Sequence, residues 1–206
     1  MKIKYVFILA SFFLTTGLFA QLPVSQNPQN KNAVLEEFTG IHCTYCPDGH
    51  KIANQIHAQH PNDVVLINVH TGGYATPNTG EPDFRTSFGA ALASQSGLTG
   101  YPSGTVNRHV FTGSTTALSR GSWNSAVNQI LNQPSYCNVA LEGTVNVQTR
   151  ELIVNLEVYY TGNSSVTSNF INVVLLQDNV EGPQVGASTF YPEMILPNGN
   201  YNHMHM

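Results

Sequence analysis

Charge is what this sequence has least of. Only 10% of its 206 residues are Asp, Glu, Lys or Arg, against roughly 25% in an ordinary soluble domain, so surface solvation leans on neutral Asn, Ser, Thr and Gly. The eight Lys and Arg residues form no cluster beyond Lys2 and Lys4, and the formal net charge is -4. That leaves no basic footprint for a phosphate backbone or an anionic lipid surface, and nucleic acid is not an expected partner. Long apolar runs are absent past residue 20, so no later stretch is expected to cross a bilayer as a helix. Internal repeats are absent as well.

Clustered pairs of metal-ligating residues are also scarce. His42, Cys43, Cys46 and His50 place four thiol or imidazole groups in one short segment, which raises zinc as a reading. A structural zinc site usually draws a ligand pair from each of two separated segments, and the second pair is missing. Covalent haem attachment needs a histidine directly after the second cysteine, and Pro47 stands there. No metal and no cofactor are expected. His57, His60, His70 and His109 show no paired spacing and read as ordinary surface or core residues; His203 and His205 flank Met204, a soft-metal pattern that a frayed terminus explains as well.

What the chain does have begins with an export signal. Lys2 and Lys4 form a basic start, residues 5–19 are nearly all apolar, and Leu18, Phe19 and Ala20 precede Gln21, so cleavage is expected after Ala20. The apolar run is shorter than the roughly 20 residues of a spanning helix, which favours a signal over an anchor. No cysteine follows the cleavage point to suggest a lipid anchor. Residues 21–32, polar with two prolines, read as an extended leader.

Folded structure is expected from Ala33. Residues 33–38 and 64–69 read as strands, the second a continuous β-branched run of buried type, and Cys46, Gly49, Ala53 and Ile56 recur at helical spacing between them until Pro61. This is one βαβ unit. Phe84, Phe88, Ala91 and Leu92 predict a second helix closed by Gly97; residues 104–111 predict a strand; Trp123, Ala126, Val127, Ile130 and Leu131 predict a third helix stopped by Pro134. The α/β domain is expected to span residues 33–134. Beyond it the period becomes two, with Val139, Leu141, Val145 and Val147, then Leu152, Val154, Leu156, Val158 and Tyr160, joined by a turn at residues 148–151. A third strand is expected at residues 171–176. This is a partial antiparallel sandwich of immunoglobulin-like type over residues 135–206, since a full one needs about seven strands in about 100 residues; the chain is expected to stop inside it.

The chemistry centres on Cys43-Thr44-Tyr45-Cys46-Pro47. A strand feeding Cys-x-x-Cys into the first turn of a helix lowers the pKa of the first thiol, because helix N-terminal amides favour a thiolate. Cys43 is the expected nucleophile and Cys46, one turn on and more buried, the resolving thiol. Pro47 suits a first turn, where a missing N–H costs little. The blandest reading is a permanently oxidised structural clip, common in exported proteins. Cys137, the odd thiol at the domain border, is expected to be buried and inert. His42 either stabilises a Cys43 thiolate or faces solvent.

The segment from Glu37 to Pro47 resembles the active-site strand and turn of thioredoxins, where an acidic residue stands six positions before the first cysteine. The resemblance implies that Glu37 assists proton transfer to the resolving thiol; Glu36 adjoins it, and only one of two strand neighbours points inward. It also implies a cis-proline opposite the cysteines, for which Pro102 in Gly100-Tyr101-Pro102-Ser103-Gly104 is the candidate, with the Tyr101 backbone pairing to an extended peptide. Residues 34–40 leading to the cysteines and residues 100–108 together are similar to a narrower group, the 28-kDa outer-membrane-protein family of Gram-negative bacteria, most closely over residues 33–134. That likeness implies an exported protein of the periplasm, outer membrane or cell surface, with a thioredoxin-like α/β domain followed by a β domain. Two functions follow. One is a thiol-disulfide oxidoreductase or isomerase-like protein acting on client proteins with disulfides or thiols, its redox partner and direction left open. The other is a surface or outer-membrane-associated interaction or adhesion protein on a redox-inactive scaffold.

Overall fold

The computed structural model describes residues 22–206; the expected signal at residues 1–20 and its cleavage point lie outside the described residues. The first strand, β1 (Ala33–Thr39), is followed by α1 (Cys46–Gln59) and β2 (Val64–His70), and β1 and β2 run parallel with Leu35 opposite Leu66. On the other side of β1 lies β3 (Ser103–Val106), antiparallel, and beyond it β4 (Leu118–Ser119), so the sheet order is β2-β1-β3-β4. The mixed α/β expectation holds here, and so does the βαβ unit.

Alternation along β1 divides its side chains between two faces. Ala33 and Leu35 enter a core with Ala53 and Ile56 of α1 and with Trp123, Ala126, Val127 and Ile130 of α3 (Trp123–Leu131). Trp123 is fully buried, and its indole N–H donates to Leu118 O at 3.2 Å, so the polar handle of the largest core side chain is satisfied. Glu37 lies on this α1 side. Glu36 points the other way, where Arg108 grips it with two N–H donors at 2.6 and 2.9 Å and Thr105 Oγ1 donates at 2.9 Å.

Two elements are shorter than their patterns predict. The second helix, α2 (Gly89–Ser96), starts past Phe84 and Phe88 and ends at Gly97 as expected. Asp83 Oδ1 accepts the Arg85 backbone N–H and Thr86 Oγ1 that of Gly89, so local side-chain bonds hold residues 83–88 in turns instead of a helical ladder. Strand β3 stops at Val106 instead of 111 because Asn107 and Arg108 take left-handed backbone angles (φ 49° and 48°). The Asn107 side chain holds that turn by accepting Val34 N–H at 2.6 Å and donating to Asn32 O at 2.9 Å.

The period-two region forms β5 (Cys137–Asn146) and β6 (Glu151–Tyr160), an antiparallel hairpin with Val139 opposite Val158 and Val145 opposite Leu152. Both strands were expected; the half-buried face was expected as well, yet Val139, Leu141, Val145 and Leu152 are exposed. The expected third strand at residues 171–176 joins no ladder, and no sandwich forms among the described residues. Next to it, Gln177 and Met206 exchange two backbone hydrogen bonds, 2.9 and 3.0 Å, and residues 172–176 line a recess with Ile67 and Val69 of β2.

The leader runs back over this junction. Lys31 N–H donates to Gln133 O, Ser135 N–H to Gln29 O, and Asn138 Nδ2 to both Ser25 O and Asn27 O at 2.7 Å. The last elements, β7 (Val180–Gly182), the single turn α4 (Ala187–Phe190) and β8 (Tyr201–His203), return to the α/β unit. Asn54 of α1 donates to the Tyr191 hydroxyl at 3.2 Å, and Asn68 of β2 donates from its backbone to His205 O and from its side chain to Met204 O, both at 2.7 Å.

Candidate functional site

Cys43 sits in the tight turn that leaves β1, its N–H donating to Gly40 O at 3.0 Å, and Cys46 is the first residue of α1. Pro47 occupies the first turn, where its missing N–H leaves no helical bond unmade. The two cysteines are joined in a disulfide. Cys137 is free and half-buried at the start of β5, less enclosed than its apolar character suggests.

Glu37 is 1% exposed, and neither carboxylate oxygen has a hydrogen-bond partner. Burial drives its carboxyl well above the usual carboxylate range, offset in part by the Arg120 guanidinium. Gly49, in the first turns of α1, is what makes room for it. A methyl group there would collide with Glu37 Oε1 and lie 3.0 Å from Pro102 Cβ, so Glu37, Gly49 and Pro102 meet around the helix start. The Tyr101–Pro102 bond is cis, as expected, and the Tyr101 ring stands edge-on to Tyr74 with 5.7 Å between centroids. Asp48, in the same first turn, is paired with Arg120, which also stacks over Tyr45 at 5.9 Å.

His42 turns away from this group. Its Nε2 meets Glu81 Oε2 at 2.9 Å, tying the Cys43 loop to the segment before α2. His50 faces inward instead, with Nε2 2.9 Å from Thr39 Oγ1, Nδ1 3.0 Å from the Tyr201 hydroxyl, and Glu37 Oε1 3.8 Å away. Burial brings His50 down to about 3, with His203 adding to the effect, so the ring is neutral. His203, set at the terminus as a frayed residue or soft-metal donor, is neither: it is 1% exposed and packed against His70, Phe84 and Tyr201. Among the described residues no group of three His, Cys, Asp or Glu side chains is placed to hold a metal ion.

A cover lies over the disulfide that the sequence pattern does not place. Gln184 Nε2 donates to Gly40 O and Cys43 O, both at 3.2 Å, and Val185 N–H donates to Ile41 O at 2.8 Å. Gly186, at φ 80°, lies against the Thr44 carbonyl so closely that any Cβ would strike its oxygen, and Phe190 packs on Tyr45 at 5.3 Å between centroids. The result is a disulfide in which Cys43 is 3% and Cys46 0% exposed. The only trace in the sequence is the turn-forming run Gly182-Pro183-Gln184-Val185-Gly186, which signals a bend but not its address.

A four-stranded mixed sheet that delivers a Cys-x-x-Cys disulfide to the head of its first helix defines a class of α/β proteins with a thiol pair at a strand-to-helix turn. Within it, the family model described as outer membrane protein Omp28 matches residues 89–206, more than half of the chain, and the chain belongs to that family. The matched span starts after the cysteines, whereas the sequence likeness was set mainly on residues 33–134. Among solved structures, HBP35 of Porphyromonas gingivalis is similar with a TM-score of 0.55 and 21% identity, over 86% of this chain and 55% of that one. The chain thus spans about half the length of that protein, and the likeness speaks for the fold alone. A protein of Agrobacterium tumefaciens matches at a TM-score of 0.39 and 15% identity, over 58% of this chain and 54% of that chain. No curated protein matches the sequence. The family makes this an exported protein associated with the outer membrane. Among the described residues no helix is long and apolar enough to cross a membrane.

Proposed function

We propose that the chain is a surface-exposed interaction or adhesion protein of the outer membrane, built on a thioredoxin-like scaffold whose Cys43–Cys46 disulfide is a closed structural clip. The observation that carries this reading is the cover formed by residues 184–190. Thiol-disulfide exchange requires a thiolate to reach a sulfur along the S–S axis, and a pair that is 0–3% exposed beneath a hydrogen-bonded segment offers no such approach. The family and the fold support the same reading. In it the β5–β6 hairpin, with its apolar face turned outward, is the candidate contact surface for a partner. The test is insulin reduction in the presence of dithiothreitol, with wild type beside Cys43→Ser. Equal, background rates are expected; a wild-type rate that Cys43→Ser abolishes would overturn the scaffold reading.

One arrangement favours a second reading, an exported thiol-disulfide oxidoreductase or isomerase-like protein that works once the cover lifts. Glu37 is buried, unpartnered and next to the start of α1, with Pro102 beside Gly49, which is the company that the thioredoxin resemblance assigns to an active pair. In that case reduced Cys43 attacks a client disulfide, Cys46 then attacks the Cys43 sulfur, and the client leaves as a dithiol while the pair is reoxidised. Tyr101 and Pro102 would flank the client strand. Disulfide exchange in a variant lacking the cover, and none in the wild type, is the pattern this reading requires.

A further inference from the structure

Three histidines form a buried seam where residues 180–203 return to the α/β unit. His50 of α1, His70 of β2 and His203 of β8 are 4%, 3% and 1% exposed. The Tyr201 hydroxyl ties the first to β8, 3.0 Å from His50 Nδ1, and the His203 ring stands edge-on to His70 at 5.3 Å and to Tyr201 at 4.9 Å. Phe84 closes the seam, edge-on to both His70 and His203. The root of the disulfide's cover hangs on the same rings. His203 Nε2 donates to Pro183 O at 3.3 Å, and Gly182 pairs with Tyr201. Gln184, directly after Pro183, is the residue that grips Gly40 O and Cys43 O.

Such a seam holds only while its rings are neutral. His70 has no hydrogen-bond partner on either nitrogen, so a proton added there makes a buried charge with two unmet N–H groups. His50 bonds to the hydroxyls of Thr39 and Tyr201 and His203 to a carbonyl, none of them a counter-charge. Acids on the surrounding elements face other groups: Glu81 meets His42, Asp83 meets Arg85, Glu181 accepts from Asn198, and Asp178 faces His205. Lys51 and Arg120 are paired with Glu193 and Asp48, and His57 lies against His205. Glu37 does reach the seam, 3.8 Å from His50 Nε2, but burial keeps its proton on, so it brings no negative charge. Burial accordingly holds His50 at about 3, His203 at about 4 and His70 well below 6.5, with His203 adding to the effect on the other two.

We propose that the seam is an acid-released latch: protonation of His50, His70 and His203 detaches β7 and β8 from the α/β unit, lifts residues 184–190 and uncovers the Cys43–Cys46 disulfide. This rests on the covered disulfide described above, and not on whether the pair turns over a client. The direction follows from linkage. Wetted rings take up protons below 6.5 and buried ones refuse them until far lower, so each pH unit below 6.5 favours the open form about tenfold per net proton. Glu37, if wetted as well, releases a proton and offsets one ring of the three.

The experiment is reduction of the full chain by tris(2-carboxyethyl)phosphine between pH 7 and pH 5, each rate divided by that of oxidised glutathione under the same conditions, with amide hydrogen exchange on the same samples. Expected is a normalised rate at pH 5 at least tenfold above that at pH 7, with protection lost over residues 180–203 while β1 stays protected. His203→Phe keeps a ring against His70 and Phe84, and His70→Leu loses no hydrogen bond. Each should cut the rise at least threefold, whereas His109→Gln, exposed and outside the seam, should leave it unchanged. A flat normalised rate, loss of protection in β1 together with residues 180–203, or an undiminished rise in the folded seam variants would each overturn the proposal. The insulin test at neutral pH reads turnover instead, so either result can fail without the other.

Discussion

At the scale of single residues, Glu37 is the group most at odds with its surroundings. An unpaired buried carboxyl keeps its proton in the folded protein at pH values where the unfolded chain, with an ordinary value of 4.5, has released it. The folded state then binds more protons, so this residue costs stability increasingly as pH rises above 4.5, until its own raised value is passed. Glu37→Gln keeps the shape and removes the ionisation. The gain of Glu37→Gln over wild type should therefore grow with pH from 4.5 upward by about 1.4 kcal/mol per pH unit, measured by urea unfolding at several pH values. A difference that stays constant with pH would show that the carboxyl is not held protonated.

Among the elements, the cover over the cysteines is the one whose removal can be engineered at a single position. Gly186 needs both its positive φ of 80° and its missing side chain, so Gly186→Val meets backbone strain and the Thr44 carbonyl together. The segment should lift at a cost of about 1–3 kcal/mol, and dithiothreitol should reduce the Cys43–Cys46 bond at least tenfold faster, read by mass spectrometry after alkylation. An unchanged reduction rate in a folded variant would mean that residues 184–190 do not guard the disulfide. This element was illegible from sequence, and the reason is physical. Its address is set by contacts such as Gln184 to Cys43, which join residues 141 positions apart, while periodicity reports only on near neighbours. The same limit explains His203, whose burial against His70 and Phe84 depends on the return of β8. By contrast α3, β5, β6 and the β1-α1-β2 unit follow directly from their spacing, because Trp123, Ala126, Val127 and Ile130 or Val139 and Leu141 carry the period themselves. Strand β3 and helix α2 fall between: their cores were visible, but side-chain bonds from Asn107, Asp83 and Thr86 cut them short.

For the whole molecule, the buried histidines decide how stability responds to acid. Burial holds His50 at about 3 and His203 at about 4, and His70 lies well below its usual 6.5. Each is depressed relative to the unfolded chain, so on acidification the unfolded state takes up protons first. Their stabilising effect is complete above about 6.5 and is lost as pH falls from there toward the folded values. Glu37 acts in the opposite sense over part of that window, but it is one carboxyl against three imidazoles. The unfolding free energy read from urea denaturation should therefore fall between pH 7 and pH 5, by about 1.4 kcal/mol per pH unit for each net proton, and His203→Phe should flatten the slope. An unfolding free energy that holds or rises toward pH 5 would contradict these assignments. A different consequence concerns time. The leader is fastened by Asn138, which reaches Ser25 across 113 positions, and by Gln133 and Ser135, all of which emerge from the membrane long after it does. Contacts this distant in sequence close late. The leader at residues 22–32 therefore stays unfastened until most of the α/β unit is in place and the seam behind it can be drawn shut.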